Sequence, residues 1–283
     1  MDSLGCERGL RAGCVVSEDL TTWADRLERV LVDEPGPIDR VRVLAETEST
    51  QDAAWQSCGG RAGLVVVAGR QTRGRGRLGK HWVDSFGLGV AMTLVVEPGE
   101  PGWRLSVLAG VAAARACERF VPGRVRVRWP NDVLEPGERG RKLAGVLVES
   151  RSGLALVGVG INVRQGSEHW SGRLGEQAVS LHQLGAECSR LDVARALVKS
   201  FHALWKVDAG ALIEEWRARE WLFGRRCTVA HNGDTFQGVV KTIDPNDQIV
   251  LDVGSGDVAL PAASSSVIEV FTDSLPGLDQ RRP

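Results

Sequence analysis

The sequence predicts an α/β (α+β) protein: a mixed sheet layered with helices, followed by a small all-β unit. Three observations predict it. Between about residues 41 and 219, apolar stretches of strand length are interspersed with stretches of helical apolar spacing. Some strand-like stretches are joined by tight turns and others are separated by helices, which calls for a mixed sheet with an α layer. After Phe223-Gly224, five short strand-like stretches follow within about 50 residues, a density that suits a small β-barrel. A chain of 283 residues can hold one large domain or two of unequal size. The expected divisions are an N-terminal extension with one helix (1–40), a main domain (41–222), a small barrel (223–271) and a solvated tail (272–283).

The elements follow in order. Residues 1–17 are mixed and expected to fray. Leu20, Trp23, Leu27, Val30 and Leu31 recur at helical spacing, and Pro35-Gly36-Pro37 ends that helix. One helix is too little for a helix-turn-helix DNA reader, which needs two. Residues 41–44 read as a short strand, 50–57 as a helix, and Leu64–Ala68 and 88–96 as strands. Residues 103–120 carry an apolar helical face, where Ala109, Gly110, Ala112, Ala113 and Ala114 permit close packing. Residues 124–129 alternate as a strand. Residues 143–149 and 154–163 form a strand pair turned at Ser152-Gly153. Helices are expected at 191–207 and 211–221. The last strands fall at 227–231, 235–242, 249–253, 258–261 and 267–271. Asn232-Gly233, Pro245-Asn246-Asp247 and Gly254-Ser255-Gly256 turn between them.

Composition excludes several classes. A hydrophobic fraction of 43% and a charged fraction of 25% are those of a soluble globular protein. The net charge of −1 provides no bulk field to attract nucleic acid. No apolar run approaches the ~20 residues that span a bilayer, and the N-terminus lacks the apolar core of a signal peptide. The six cysteines (Cys6, Cys14, Cys58, Cys117, Cys188, Cys227) form no C-x-x-C pair, which argues against a zinc site or a disulfide framework. A cytoplasmic protein is expected, with neither DNA nor membrane as partner and no protein-held metal.

Four clusters carry chemistry. The stretch from Gly69 through Gly74-Arg75-Gly76-Arg77-Leu78-Gly79-Lys80-His81-Trp82 packs glycine and arginine directly after a buried strand. Glycine lets backbone N–H groups approach an anion, and guanidinium binds two oxygens at once. A solvated basic loop or a nucleic-acid segment would read similarly. The match to G-x-G-x-x-G is weak, because no long helix opens there. In Arg128-Trp129-Pro130-Asn131-Asp132-Val133, proline sets a sharp exit that exposes Asn131 and Asp132 together; alone, an Asx-turn explains it equally well. Lys142 enters the apolar run Leu143-Ala144-Gly145-Val146-Leu147-Val148-Glu149, either snorkelling or aimed at phosphate. Gly158-Val159-Gly160-Ile161-Asn162-Val163 permits close approach to a flat ligand, or simply tight strand packing.

The four clusters in this order, with Thr47-Glu48-Ser49-Thr50-Gln51 upstream, resemble the biotin protein ligase family over about residues 41–271. The resemblance implies a catalytic domain with the mixed sheet of class II aminoacyl-tRNA synthetases, followed by an SH3-like barrel. It implies that biotin is activated with ATP and Mg2+ to biotinyl-5′-adenylate. Biotin is then passed to one lysine of a biotin carboxyl-carrier domain of an acyl-CoA carboxylase. Residue by residue, it implies biotin contacts from Ser49, Thr50, Gln51, Gln71, Arg75, Gly76, Arg77, Lys142 and Gly145. Adenylate or ATP contacts are implied for Arg75, Arg77, Lys80, Trp82, Asn131, Lys142 and Asn162, with Lys142 at the α-phosphate. Magnesium is expected on the ATP phosphates.

Asp132 is expected to orient the acceptor ammonium and help remove its proton. Two positions depart from the family pattern: Gln51 stands for asparagine, and Lys80 for the arginine of many members. The glycine–arginine loop is expected to be a lid that is disordered without ligand. His81 is expected at the surface. A monomer or weak homodimer is expected. The alternatives are a lipoate or octanoate ligase, whose glycine signature is missing, and a biotin-sensing repressor, for which the N-terminal extension is short.

Overall fold

The computed structural model describes residues 19–84, 87–99, 104–138, 140–172, 174–245 and 247–271. The expectations for residues 1–17, Trp103, Asn246 and the tail 272–283 lie outside the described residues, as do Cys6 and Cys14.

A 3-10 turn (Leu20–Thr22), capped by Asp19, leads into α1 (Trp23–Asp33), whose buried stripe is Trp23, Leu27, Val30 and Leu31. A seven-stranded sheet follows. Its strands are β1 (Arg40–Leu44), β2 (Leu64–Ala68), β3 (Gly89–Val96), β4 (Arg126–Arg128), β5 (Asp132–Glu135), β6 (Arg141–Arg151) and β7 (Leu154–Asn162). Their order is β1-β2-β3-β7-β6-β5-β4, with β1–β2 parallel and the remaining neighbours antiparallel. The sheet is therefore mixed, as the hairpins in the sequence require.

Helices cover both faces. On one side lie α3 (Arg104–Glu118) and α5 (Arg190–Trp205), with α1 and α6 (Ala209–Arg217) packed against them; α4 (Leu174–Gln177) is a single turn beside β6. The run of Ala109, Ala112, Ala113 and Ala114 is fully buried, so α3 approaches the sheet closely. The other face carries α2 (Thr50–Cys58), which starts where Ser49 accepts the Gln51 N–H and stops at Gly59, with φ +62°. Ala53, Ala54 and Cys58 pack there on Leu64, Val66, Val95, Leu154 and Leu156.

Strand alternation on β7 sorts its residues. Val157, Val159 and Ile161 enter the core under α3 and α5. Leu156, Gly158 and Gly160 face α2. The glycines thus empty one face of the sheet of side chains, and that clearing positions the site.

The C-terminal strands are β8 (Arg226–His231), β9 (Asp234–Ile243), β10 (Gln248–Asp252), β11 (Asp257–Pro261) and β12 (Ser265–Val270), ordered β11-β10-β9-β8-β12. The edge strands β11 and β12 are joined by the short turn Ala262–Ser264. A three-residue link spans only about 10 Å, so the sheet curls until its edges come near each other. No ladder between those two edges is among the pairings of the described residues, so the sheet is curled, with the full barrel still an expectation. Cys227, Val229, Val240, Ile249 and Leu251 join the same apolar core as the main sheet.

Three elements depart from the sequence reading: α6 stops at Arg217 rather than Trp221, α4 matches no expectation, and the third is β5. Asn131 and Asp132 were expected at a strand end, yet Asp132 opens β5, which pairs with both β4 and β6. The four-residue strand is too short for its alternation to stand out beside proline. No helix among the described residues is long and apolar enough to cross a membrane.

Candidate active site

The site is built on the α2 face. Register places Gly145 of β6 opposite Gly160 of β7. A Cβ at Gly160 would lie 2.5 Å from the Trp82 indole, and one at Gly145 would lie 2.9 Å from Lys142 Nζ and 3.3 Å from the indole. The paired glycines are therefore a flat floor under Trp82, with Lys142 Nζ 5.6 Å from the ring centroid. Beside it, a Cβ at Gly158 would meet Gln51 Nε2 at 2.8 Å.

A charged cluster stands at one end of this floor. The β4–β5 hairpin sets Arg128 across from Asp132, and β6 sets Gly145 across from Asp132. Arg128 Nη2 donates to Asp132 Oδ2 at 2.7 Å, and Lys142 Nζ pairs with Oδ1 at 2.6 Å. Burial by itself would raise the Asp132 carboxyl, but the Lys142 ammonium and Arg128 guanidinium outweigh it and hold the group well below the usual carboxylate range. A carboxyl held that low is a poor proton acceptor near neutral pH. Of the two functions expected of Asp132, such a carboxyl suits orientation better than proton removal.

Arg77 and Lys80 join the cluster from the loop. Burial lowers both pKa values, and Asp132 pulls both back up; Lys80 is pushed further down by Lys142, Arg128 and Arg77. Four cations thus gather around one carboxylate. Arg77 also donates to Asn131 Oδ1 at 3.4 Å and to the Ala262 carbonyl, and Lys80 Nζ donates to Ser266 Oγ at 2.8 Å. The loop therefore bridges the main sheet and the C-terminal sheet.

The loop forms a closed hairpin. Gly76 N donates to Lys80 O at 2.7 Å and Trp82 N to Gly74 O at 2.9 Å. A Cβ at Gly74 would lie 2.7 Å from Trp82 O, so the tight closure requires glycine there. Arg75 turns from the floor toward Asp52 of α2 (2.5 Å) and Glu149 of β6 (3.1 Å). Arg151 meets the same two acids at 3.0 Å each, closing a ring of two guanidiniums and two carboxylates. The Asp52 carboxyl is lowered, the two guanidiniums outweighing its burial. These pairs are why the loop is held. His81 is exposed.

A neutral polar cluster lies at the end of the floor nearer α2. Ser49, Thr50 and Gln51 are buried at 1%, 3% and 4% exposure, although all three are polar. Gln71 Oε1 accepts from Thr50 N at 2.8 Å and from Thr50 Oγ1 at 3.0 Å. Gln51 Nε2 donates to Leu147 O at 3.0 Å, while its buried Oε1 has no partner among the described residues. The extra methylene of Gln51 is thus accommodated by Gly158. Gln71 N donates to Asp84 Oδ2 at 2.7 Å. Burial pushes the Asp84 carboxyl up to about 6, against the Gln71 N–H and the charges of Arg190 and Arg70.

Two residues expected at the adenine are committed to backbone. Asn162 Nδ2 donates to Val179 O at 3.1 Å and Lys142 O at 3.3 Å, so it braces the strand carrying Lys142. Asn131 Nδ2 donates to Val146 O. Asp52, Asp84 and Thr93 were not singled out from sequence, and Arg128 and Glu149 stood in its clusters without a role. Only Thr93 left a signal there, as the one hydroxyl in the apolar strand β3. Among the described residues no group of three acidic, histidine or cysteine side chains could hold a metal.

A model of the Biotin/lipoate A/B protein ligase family matches residues 42–165. The chain is 34% identical over 236 residues to a biotin–[acetyl-CoA-carboxylase] ligase of Mycobacterium tuberculosis, covering 78% of this chain and 86% of that protein. It is 31% identical over 302 residues to the bifunctional ligase/repressor of Bacillus subtilis, covering 90% and 88%. A solved biotin protein ligase of Aquifex aeolicus, in complex with biotin and ATP, has the same fold. It matches with a TM-score of 0.68 at 23% identity, over 81% of this chain and 98% of that one. The chain belongs to the biotin–[acetyl-CoA-carboxylase] ligase family.

Proposed function

We infer that the protein activates biotin with MgATP and transfers it to a lysine of a biotin carboxyl-carrier domain. One observation carries the chemistry: Arg77, Lys80, Arg128 and Lys142 surround the single carboxylate Asp132, beside a neutral pocket. Positive charge concentrated this way is relieved where anions come to it. Carboxylate and phosphate groups supply them.

In the first step a carboxylate oxygen of biotin attacks the α-phosphorus of ATP; the P–O bond to pyrophosphate breaks, and biotinyl-5′-adenylate forms. Lys142 and Arg77 offset the charge that gathers on the phosphoryl oxygens, as fixed cations in a dry site do. Trp82 and the Gly145–Gly160 floor exclude water from the mixed anhydride. Magnesium bound with ATP would supply charge neutralisation of the phosphates. Asp132 is already paired with two cations, so the metal's ligands would be phosphate oxygens.

In the second step the neutral carrier amine attacks the acyl carbon, an amide forms and AMP leaves. The amine starts as ammonium and gives its proton to water, which near pH 7 costs about 4–5 kcal/mol. Asp132 orients the ammonium once the adenylate phosphate has drawn Lys142 and Arg77 to itself. Ser49, Gln51 and Gln71 provide uncharged partners for the ureido ring.

The test is mass spectrometry of a carrier domain after incubation with the protein, MgATP and biotin. One biotin on one carrier lysine is expected. Modification by lipoate and not by biotin would overturn the assignment.

A further inference from the structure

The pocket's hydrogen bonds have a direction. Gln71 Oε1 receives the Thr50 backbone N–H at 2.8 Å. A backbone N–H only donates, so the amide oxygen must face Thr50 and the nitrogen must face away. That nitrogen lies 3.2 Å from where a Gly74 Cβ would stand, at the base of the loop, and has no hydrogen bond among the described residues.

The direction extends inward. Thr50 Oγ1 gives its one hydrogen to Gln71 Oε1 at 3.0 Å, since that oxygen can only accept. Thr50 must therefore accept from Thr93 Oγ1, 2.8 Å away. Thr93 is fully buried on β3, where every other side chain is apolar or glycine. The relay runs one way, from Thr93 to Thr50 to Gln71. From the other side, Asp84 Oδ2 holds the Gln71 backbone N–H at 2.7 Å and ties the two ends of the loop together.

We propose that the Thr50 backbone N–H sets the polarity of the biotin pocket, and that Thr93 and Asp84 are positioning residues that hold Thr50 and Gln71 in register for it. With its oxygen committed to Thr50, Gln71 has only its amide donor left to offer a ligand. The pocket then selects a neutral cyclic urea, whose carbonyl oxygen accepts, over a cyclic guanidinium of the same shape, which has only donors. This rests on the biotin-ligase reading and adds two residues and a selection rule to it.

The experiment uses the full chain. Biotin and its 2-imino analogue are titrated by calorimetry, and KM for biotin and for ATP is measured in the adenylation step. The unmodified protein should bind biotin at least about tenfold more tightly than the guanidinium analogue. Thr93→Val should weaken biotin about five- to tenfold while leaving KM for ATP unchanged, and Thr93→Ser should restore it. Asp84→Ala should show the same split, and Asp84→Asn, which keeps an accepting oxygen, should lose less.

Equal binding of the two ligands by the unmodified protein would overturn the polarity rule. Parallel losses for biotin and ATP, or no rescue by Thr93→Ser, would reduce Thr93 to a packing residue. If Thr93→Val does not fold, the Thr93→Ser and Asp84 variants decide the matter alone. An unmodified chain that binds no biotin would remove the functional reading and this inference together, whereas an active chain with unsplit variants would remove only this inference.

Discussion

Two ion-pair clusters flank the glycine–arginine loop, and their charge balance differs. Around Asp132, four cations share one carboxylate. Around Asp52, the guanidiniums of Arg75 and Arg151 meet the carboxylates of Asp52 and Glu149 in a closed ring. The balanced ring satisfies itself and anchors the loop to α2 and β6. The unbalanced cluster leaves charge over, and an incoming anion completes it. Arginine density alone does not separate these roles, because Arg75 and Arg77 stand two residues apart and belong to different clusters.

The largest effect should come from the unbalanced side. Lys142→Ala should slow adenylate formation by about 10²–10³-fold, the usual cost of removing one donor from a developing charge. Pyrophosphate release with biotin and ATP measures it. If Arg151→Ala cost as much, the distinction between the clusters would collapse. Next, Asp132→Asn should reduce lysine transfer more than adenylation, by roughly tenfold or more. Single-turnover transfer from preformed biotinyl-adenylate separates the two steps. With its carboxyl held well below the usual range, Asp132 should add no inflection to the transfer rate between about pH 5 and 8; a carboxyl inflection that disappears in Asp132→Asn would restore it as a base.

Gly160→Ala sharpens the comparison from the floor. Its Cβ would stand 2.5 Å from the Trp82 indole, so the ring must move. Overpacking of this kind costs about 1–3 kcal/mol, so Tm should fall by several degrees while KM for ATP rises about tenfold.

Asp84 gives a pH signature. Its folded pKa of about 6 lies above that of an unfolded aspartate. The stability this group contributes is therefore fully present below about pH 4 and lost as pH rises through about 6. Asp84→Asn should raise Tm relative to the unmodified chain at pH 7 and give no such gain at pH 4. The smallest effect is expected from Arg151→Gln on the balanced ring. Its partners are partly exposed, so stability should fall by at most about 1 kcal/mol, and adenylation should be nearly unchanged.

Much of this was legible in the sequence. Buried strands such as Leu64–Ala68 and helices such as Trp23–Asp33 carry their period in their apolar residues. The glycine alternation of Gly158-Val159-Gly160-Ile161 already implies one packed and one cleared face. Less legible were contacts that join distant segments. Asp52 and Glu149 lie 97 positions apart in the chain and share Arg75. Thr93 looks like a strand residue until β3 brings its hydroxyl to Thr50. Asn162 has the chemistry of a base reader, yet the approach of Val179 turns its amide toward backbone.

By itself, then, the sequence determined the elements, their class and the types of chemical group available, because local period, caps and glycine spacing act within a few residues. Only the tertiary structure decided how those groups share charge. It placed Arg77 and Lys80 with Asp132 and sent Arg75 to a neutral ring. It also closed the loop against Ala262 and Ser266, some 185 residues away. The physical reason is range: hydrophobic pattern is read along the chain, whereas electrostatic balance and hydrogen-bond direction depend on which distant segments the fold brings within about 3 Å.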